Sequence, residues 1–206
     1  MKESIDRYLS LFPETNKKLL KVAGVLLVVA CITEVVIVYD THPLSWSFLP
    51  GLNPVANAVE ALAIAAMAIG AFSDRRLLLN GGFLVYLLAL AYDWLSIGSG
   101  LALRYAFIDL VAFAVPLVLL LVPRADSSKV LPALATLFAV AQIIRHVSYY
   151  AALLRDPMEL ILPIGAAFSI ASVVGLQIGI ACIAWAVSTG TSGKKTSAEA
   201  AAADER

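Results

Sequence analysis

Residues 22–39 read VAGVLLVVACITEVVIVY. Apart from Thr33 and Glu34 the stretch is apolar or glycine. As an α-helix it extends roughly 27 Å at about 1.5 Å per residue, close to the ~30 Å hydrocarbon core of a bilayer. Only a helix satisfies its own backbone hydrogen bonds in lipid, so the run reads as a transmembrane helix. Glu34 is the anomaly within it. A charged side chain at the bilayer centre costs about 2.5–3.5 kcal/mol on insertion scales, so it calls for a partner or a purpose.

The same pattern recurs. Apolar runs fall at about 22–39, 55–72, 77–97, 101–122, 130–154 and 160–187. The composition agrees: 61% of the 206 residues are hydrophobic and the mean hydropathy is +0.87. A soluble domain is nearer half apolar. The expected fold is therefore all-α, a polytopic integral membrane protein built as a six-transmembrane-helix bundle. Residues 1–21 form a cytoplasmic N-terminal segment, with Ile5, Leu9 and Phe12 spaced for a short interfacial amphipathic helix. Residues 22–188 form the transmembrane domain, and 189–206 a disordered cytoplasmic tail lacking apolar content. Met1–Lys21 is too polar to read as a secretory signal.

Lysine and arginine orient the bundle. Twelve of the fifteen flank the runs on one side: Lys2, Arg7, Lys17, Lys18 and Lys21; Arg75 and Arg76; Arg124 and Lys129; Lys194, Lys195 and Arg206. Arg155 alone falls on the other side. The positive-inside rule then places both termini in the cytoplasm and the 40–54 loop outside. Trp46 and Trp94 fall at the outer interface and Trp185 at the inner one, as aromatic belts do. A net charge of zero gives no argument for nucleic acid as a partner. The lipid bilayer is the expected surrounding.

Ionisable residues interrupt five of the six runs. Counted along each helix, Glu34, Glu60, Asp93, Arg104, Asp109, Arg145 and His146 all fall in the extracytoplasmic half. Gln142, Arg145/His146 and Tyr149 form one stripe at i, i+3/i+4, i+7. Asn53, Asn57 and Glu60 form another, and Ser169 and Ser172 add a third at similar depth. Four acids face two arginines, so an acid should hold a proton or the layer a cation. Glu34 is expected to pair with Arg145. The ligand or ion-binding candidates are thus Glu34, Glu60, Asp93, Arg104, Asp109, Arg145, His146 and Tyr149. The packing alternative is a network of polar contacts that only glues helices together. Gly175-x-x-x-Gly179 and Ala66-x-x-x-Gly70 are small-residue spacings expected to serve packing within the chain.

Other chemistries fit poorly. Tyr92-Asp93-Trp94 resembles the third helix of microbial rhodopsins, but no lysine lies mid-membrane to carry retinal. His42 and His146 are not placed as a haem pair. Cys31 and Cys182 are far apart and form no CxxC, so no thiolate metal site and no cofactor is expected. Three functional readings follow. The first is a polar chamber that binds or conducts a small polar solute, proton or cation. The second is a non-catalytic subunit with membrane-protein partners. The third is a membrane-embedded enzyme using carboxylates and His146.

Overall fold

A computed structural model describes residues 16–41, 54–97, 129–153 and 163–190, and within them the chain is entirely helical. The described residues form five helices: α1 Lys17–Thr41, α2 Pro54–Ser73, α3 Arg76–Ile97, α4 Val130–Leu153 and α5 Pro163–Gly190. They match five of the six apolar runs. The run at 101–122 lies outside the described residues, as do both terminal segments. Among the described residues two segments are long and apolar enough to cross a membrane: 20 residues over Lys17–Val36 and 22 residues over Ala167–Ser188.

Local chemistry sets the helix ends. α2 and α5 begin on proline, whose fixed φ and missing N–H suit the first helical position. α1 starts at Lys17, ahead of its apolar run, because Asn16 caps it. The Asn16 side-chain oxygen accepts from the Leu19 backbone N–H at 3.2 Å. Hydropathy marks where lipid would begin and says nothing of a charged first turn. Between α2 and α3 the chain reverses at Asp74, with φ of 61°. The Arg75 N–H then bonds the Gly70 carbonyl at 3.0 Å, closing the end of α2.

The helices pack in the order α4, α5, α1, α2, α3, each against its neighbour. Three contacts gather the same ends. The Asn16 N–H donates to the Ala186 carbonyl (3.0 Å), Lys17 Nζ pairs with Asp74 Oδ2 (2.9 Å), and Trp185 Nε1 donates to Thr136 Oγ1 (2.9 Å). The N-terminal ends of α1 and α4 thus lie with the α2–α3 turn and the C-terminal end of α5. The Trp185 indole N–H is satisfied by Thr136, between α4 and α5.

The core is made of small residues. Ala23, Ala30, Ala63, Ala68, Ala135 and Ala184 are buried, joined by Leu27, Met67, Phe83 and Ile183. Large aliphatics face outward, with Val22, Val25, Val29 and Ile32 along one stripe of α1. On α4, Leu134, Leu137, Val140, Ile144 and Val147 do the same. α5 is the most enclosed helix, and Ile178 is its one large exposed hydrophobic among the described residues.

Candidate functional site: a polar layer between α1, α4 and α5

Close backbone approach builds the first half of the site. A Cβ on Gly175 would lie 2.9 Å from the Leu26 carbonyl oxygen and 3.3 Å from the Ala30 Cβ. One on Gly179 would lie 3.1 Å from Leu27 Cγ. The glycine pair therefore serves packing within the chain, as its spacing suggested, and seats α5 on α1. One turn before Gly175, Ser172 is brought against α1. Its hydroxyl lies 2.8 Å from Glu34 Oε2 and 3.3 Å from the Ala30 carbonyl, and donates to both. Ser172 is buried at 3% exposure and Glu34 is half-buried.

Glu34 therefore takes its hydrogen bond from Ser172 and not from Arg145, the partner expected from matching depth. The physical reason is the helix order. α5 lies between α1 and α4, so a residue on α1 meets α5 first. No Lys, Arg or His lies within ion-pair distance of Glu34 among the described residues. Cys31, three residues before Glu34, turns to α2, its thiol donating to the Ala61 carbonyl at 3.4 Å. Cys31 and Cys182 are both free and half-buried.

The second half lies on α4. Its inward stripe runs Ala135, Ala139, Gln142, His146 and Tyr150. Gln142 is 1% exposed, and neither its Nε2 nor its Oε1 has a hydrogen-bond partner among the described residues. The same holds for the buried Nδ1 of His146. The imidazole packs beside Tyr150, ring centroids 6.2 Å apart and tilted by 43°.

These contacts fix relative depth. Glu60 precedes the Ala61 that meets Cys31 on the antiparallel α2, so it lies about 3 Å along the axis from Glu34. Counting from the Trp185–Thr136 bond, Arg145 and His146 fall about 5–6 Å short of the level of Ser172. Glu34, Glu60, Arg145 and His146 thus share one layer, in the half of the bundle away from Lys17 and Asp74. The side chains of Asp93 and Tyr149 lie outside the described set, as do Arg104 and Asp109 entirely. Among the described residues no three His, Cys, Asp or Glu side chains gather closely enough to hold a metal ion.

Two features were not legible in advance. Arg76, read only as a cytoplasmic charge, is 3% exposed, whereas Arg75 beside it is exposed. The 100° turn between successive helix residues separates them, and Asn80 four residues on, also inward, was the available signal. Tyr150, which packs beside His146, was not among the residues singled out from the sequence. No protein-family model, curated protein or solved structure matches this chain.

Proposed function

We propose that the chain is an integral membrane protein of six transmembrane helices with both termini in the cytoplasm. Its polar layer, in the extracytoplasmic half, binds or conducts a small polar solute, proton or cation. The outward display of valine, leucine and isoleucine over an alanine- and glycine-rich interior supports the membrane setting. Contiguous apolar faces of this kind are unusual on soluble monomers, and small residues at helix contacts are typical in lipid. Lys17 and Arg75 share one end of the bundle with the α2–α3 turn, in keeping with the positive-inside bias.

The observation that carries the functional reading is Glu34. It is a half-buried carboxylate held by a hydroxyl, with no cation beside it among the described residues. Such a group is costly within a bilayer and is retained where it holds a proton, an ion or a solute. The test is flux into proteoliposomes, followed with an internal pH dye and with potassium. Parent protein should raise permeability over empty vesicles, and Glu34→Gln or Glu60→Gln should abolish the rise. Vesicles carrying parent protein that leak no faster than empty ones overturn conduction. Topology is tested separately in a cysteine-free background. Ser73→Cys, in the exposed end of α2, should label from the cytoplasmic side and Ser45→Cys from outside.

A further inference from the structure

We propose that the α1–α2 seam, at the end marked by Lys17 and Asp74, binds one anionic phospholipid. Lys18, Lys21 and Arg75 hold its phosphate headgroup, and one acyl chain lies along α1. The inference goes beyond the solute-binding reading and rests only on the membrane setting. The outer face of α1 has two parts. Lys18, Lys21, Val25, Val28 and Ile32 follow i, i+3, i+7, i+10 and i+14, the spacing of one helix stripe, and all five are exposed. The stripe is cationic for its first turn and apolar beyond it. From Lys21 to Ile32 it extends about 16 Å, close to half of the ~30 Å hydrocarbon core, the depth of one leaflet. A phospholipid is divided in the same way, an anionic phosphate above an acyl chain one leaflet deep.

The α2 side completes the site. The Phe72 ring lies against Gly24 of α1, where a Cβ would be 3.0 Å from it, and remains 47% exposed. Lys21 comes one turn before Gly24 and Arg75 three residues after Phe72. Because α1 and α2 run antiparallel, both fall on the same side of this contact. The Lys17–Asp74 pair, at 2.9 Å, holds the α2–α3 turn beside the first turn of α1. Asp74 is the one acid at this end among the described residues, and Lys17 already occupies it. Lys18, Lys21 and Arg75 are exposed and form no ion pair among the described residues, so their charge there is uncompensated. A phosphate complements it: arginine can grip two of its oxygens at once, and the lysines act as point charges. Each basic group near a membrane surface strengthens attraction to anionic lipid about fivefold.

Three probes separate the sources of binding: dioleoylphosphatidylglycerol, dioleoylphosphatidylcholine and glycerol 3-phosphate. Each is titrated against the purified full chain in neutral detergent while the Tm is recorded. Phosphatidylglycerol should raise the Tm dose-dependently through mass action, and the other two should not. Lys21→Gln should need about fivefold more phosphatidylglycerol for the same shift, and Lys18→Gln with Lys21→Gln roughly 25-fold more. Lys129→Gln removes one exposed charge from the same end of the bundle, on α4 away from α1, and should titrate like the parent. Equal shifts with the two lipids overturn the proposal. So does an equal shift with glycerol 3-phosphate, which would make this a site for a free anion. A loss in Lys129→Gln as large as in Lys21→Gln would reduce the effect to diffuse surface charge and overturn it too. Cytoplasmic labelling of Ser73→Cys with no lipid selectivity counts against this site alone. Selectivity that depends on Lys21 while Ser73→Cys labels only from outside supports the site and counts against the orientation alone.

Discussion

The seams that α5 makes with α1 and with α4 are built differently. At the α1 seam the backbones are drawn together by Gly175 and Gly179, and the polar groups find partners. Ser172 donates to Glu34 and to the Ala30 carbonyl, and Thr33 donates to carbonyls of its own helix at 2.9 Å. At the α4 seam Trp185 and Thr136 close one end, but further along Gln142 and His146 turn bare polar atoms inward. Close contact leaves no space for a third party, so side chains must satisfy each other. At the α4 seam the amide of Gln142 and Nδ1 of His146 are buried without a hydrogen-bond partner among the described residues. The first seam is closed by backbone proximity and paired polar groups, the second leaves buried polar groups unpaired among the described residues.

The largest way to break this contrast is to force the tight seam apart. Gly175→Leu puts a branched side chain where even a Cβ would sit 2.9 Å from the Leu26 carbonyl. Overpacking of this kind costs typically 1–3 kcal/mol, and about 3 kcal/mol is expected here because the obstacle is backbone. Thermal unfolding in detergent should show a clearly lowered Tm. A variant that melts with the parent would mean that the helices are not so close.

A smaller change makes the satisfied seam resemble the other. Ser172→Ala leaves the Glu34 carboxylate without its hydroxyl donor. Interhelical hydrogen bonds in membrane proteins average about 0.6 kcal/mol and reach about 1.7, so a loss near 1 kcal/mol is expected. Ser172→Thr, which keeps the hydroxyl, should recover part of it. Equal melting of both variants would show that steric fit, not the bond to Glu34, sets the effect.

The smallest effect is expected outside both seams. Lys17 pairs with Asp74 at 2.9 Å, but the two side chains are 66% and 35% exposed. Exposed ion pairs contribute about 0–1 kcal/mol and weaken with salt. Lys17→Ala should cost a few tenths of a kcal/mol at low salt and nothing measurable in molar salt. A salt-independent loss would assign Lys17 a packing role instead.

Helix content was legible in the chain because it is decided locally. The 18-residue run at 22–39 and the prolines at 54 and 163 each act within a turn or two of their own position, whereas the Asn16 cap that starts α1 five residues earlier was not read from hydropathy. Depth along the axis was legible as well, since it needs only a count of residues at 1.5 Å each. Glu34, Glu60, Arg145 and His146 accordingly fall in one layer. Rotation about each axis and the choice of neighbour were not legible. Gly81 and Gly82 are adjacent in sequence, yet a Cβ on Gly81 meets nothing within 4 Å, while one on Gly82 would be 2.6 Å from Met67 Cγ. Glu34 was matched with Arg145 on depth alone, and the order α4, α5, α1 gave it Ser172. The amino-acid sequence determined that these segments are helices and how far along each one its polar residues sit, because backbone hydrogen bonding and helical rise are properties of a single segment. Only the tertiary structure decided which polar atoms meet and which are left bare, because that depends on several helices packing at once.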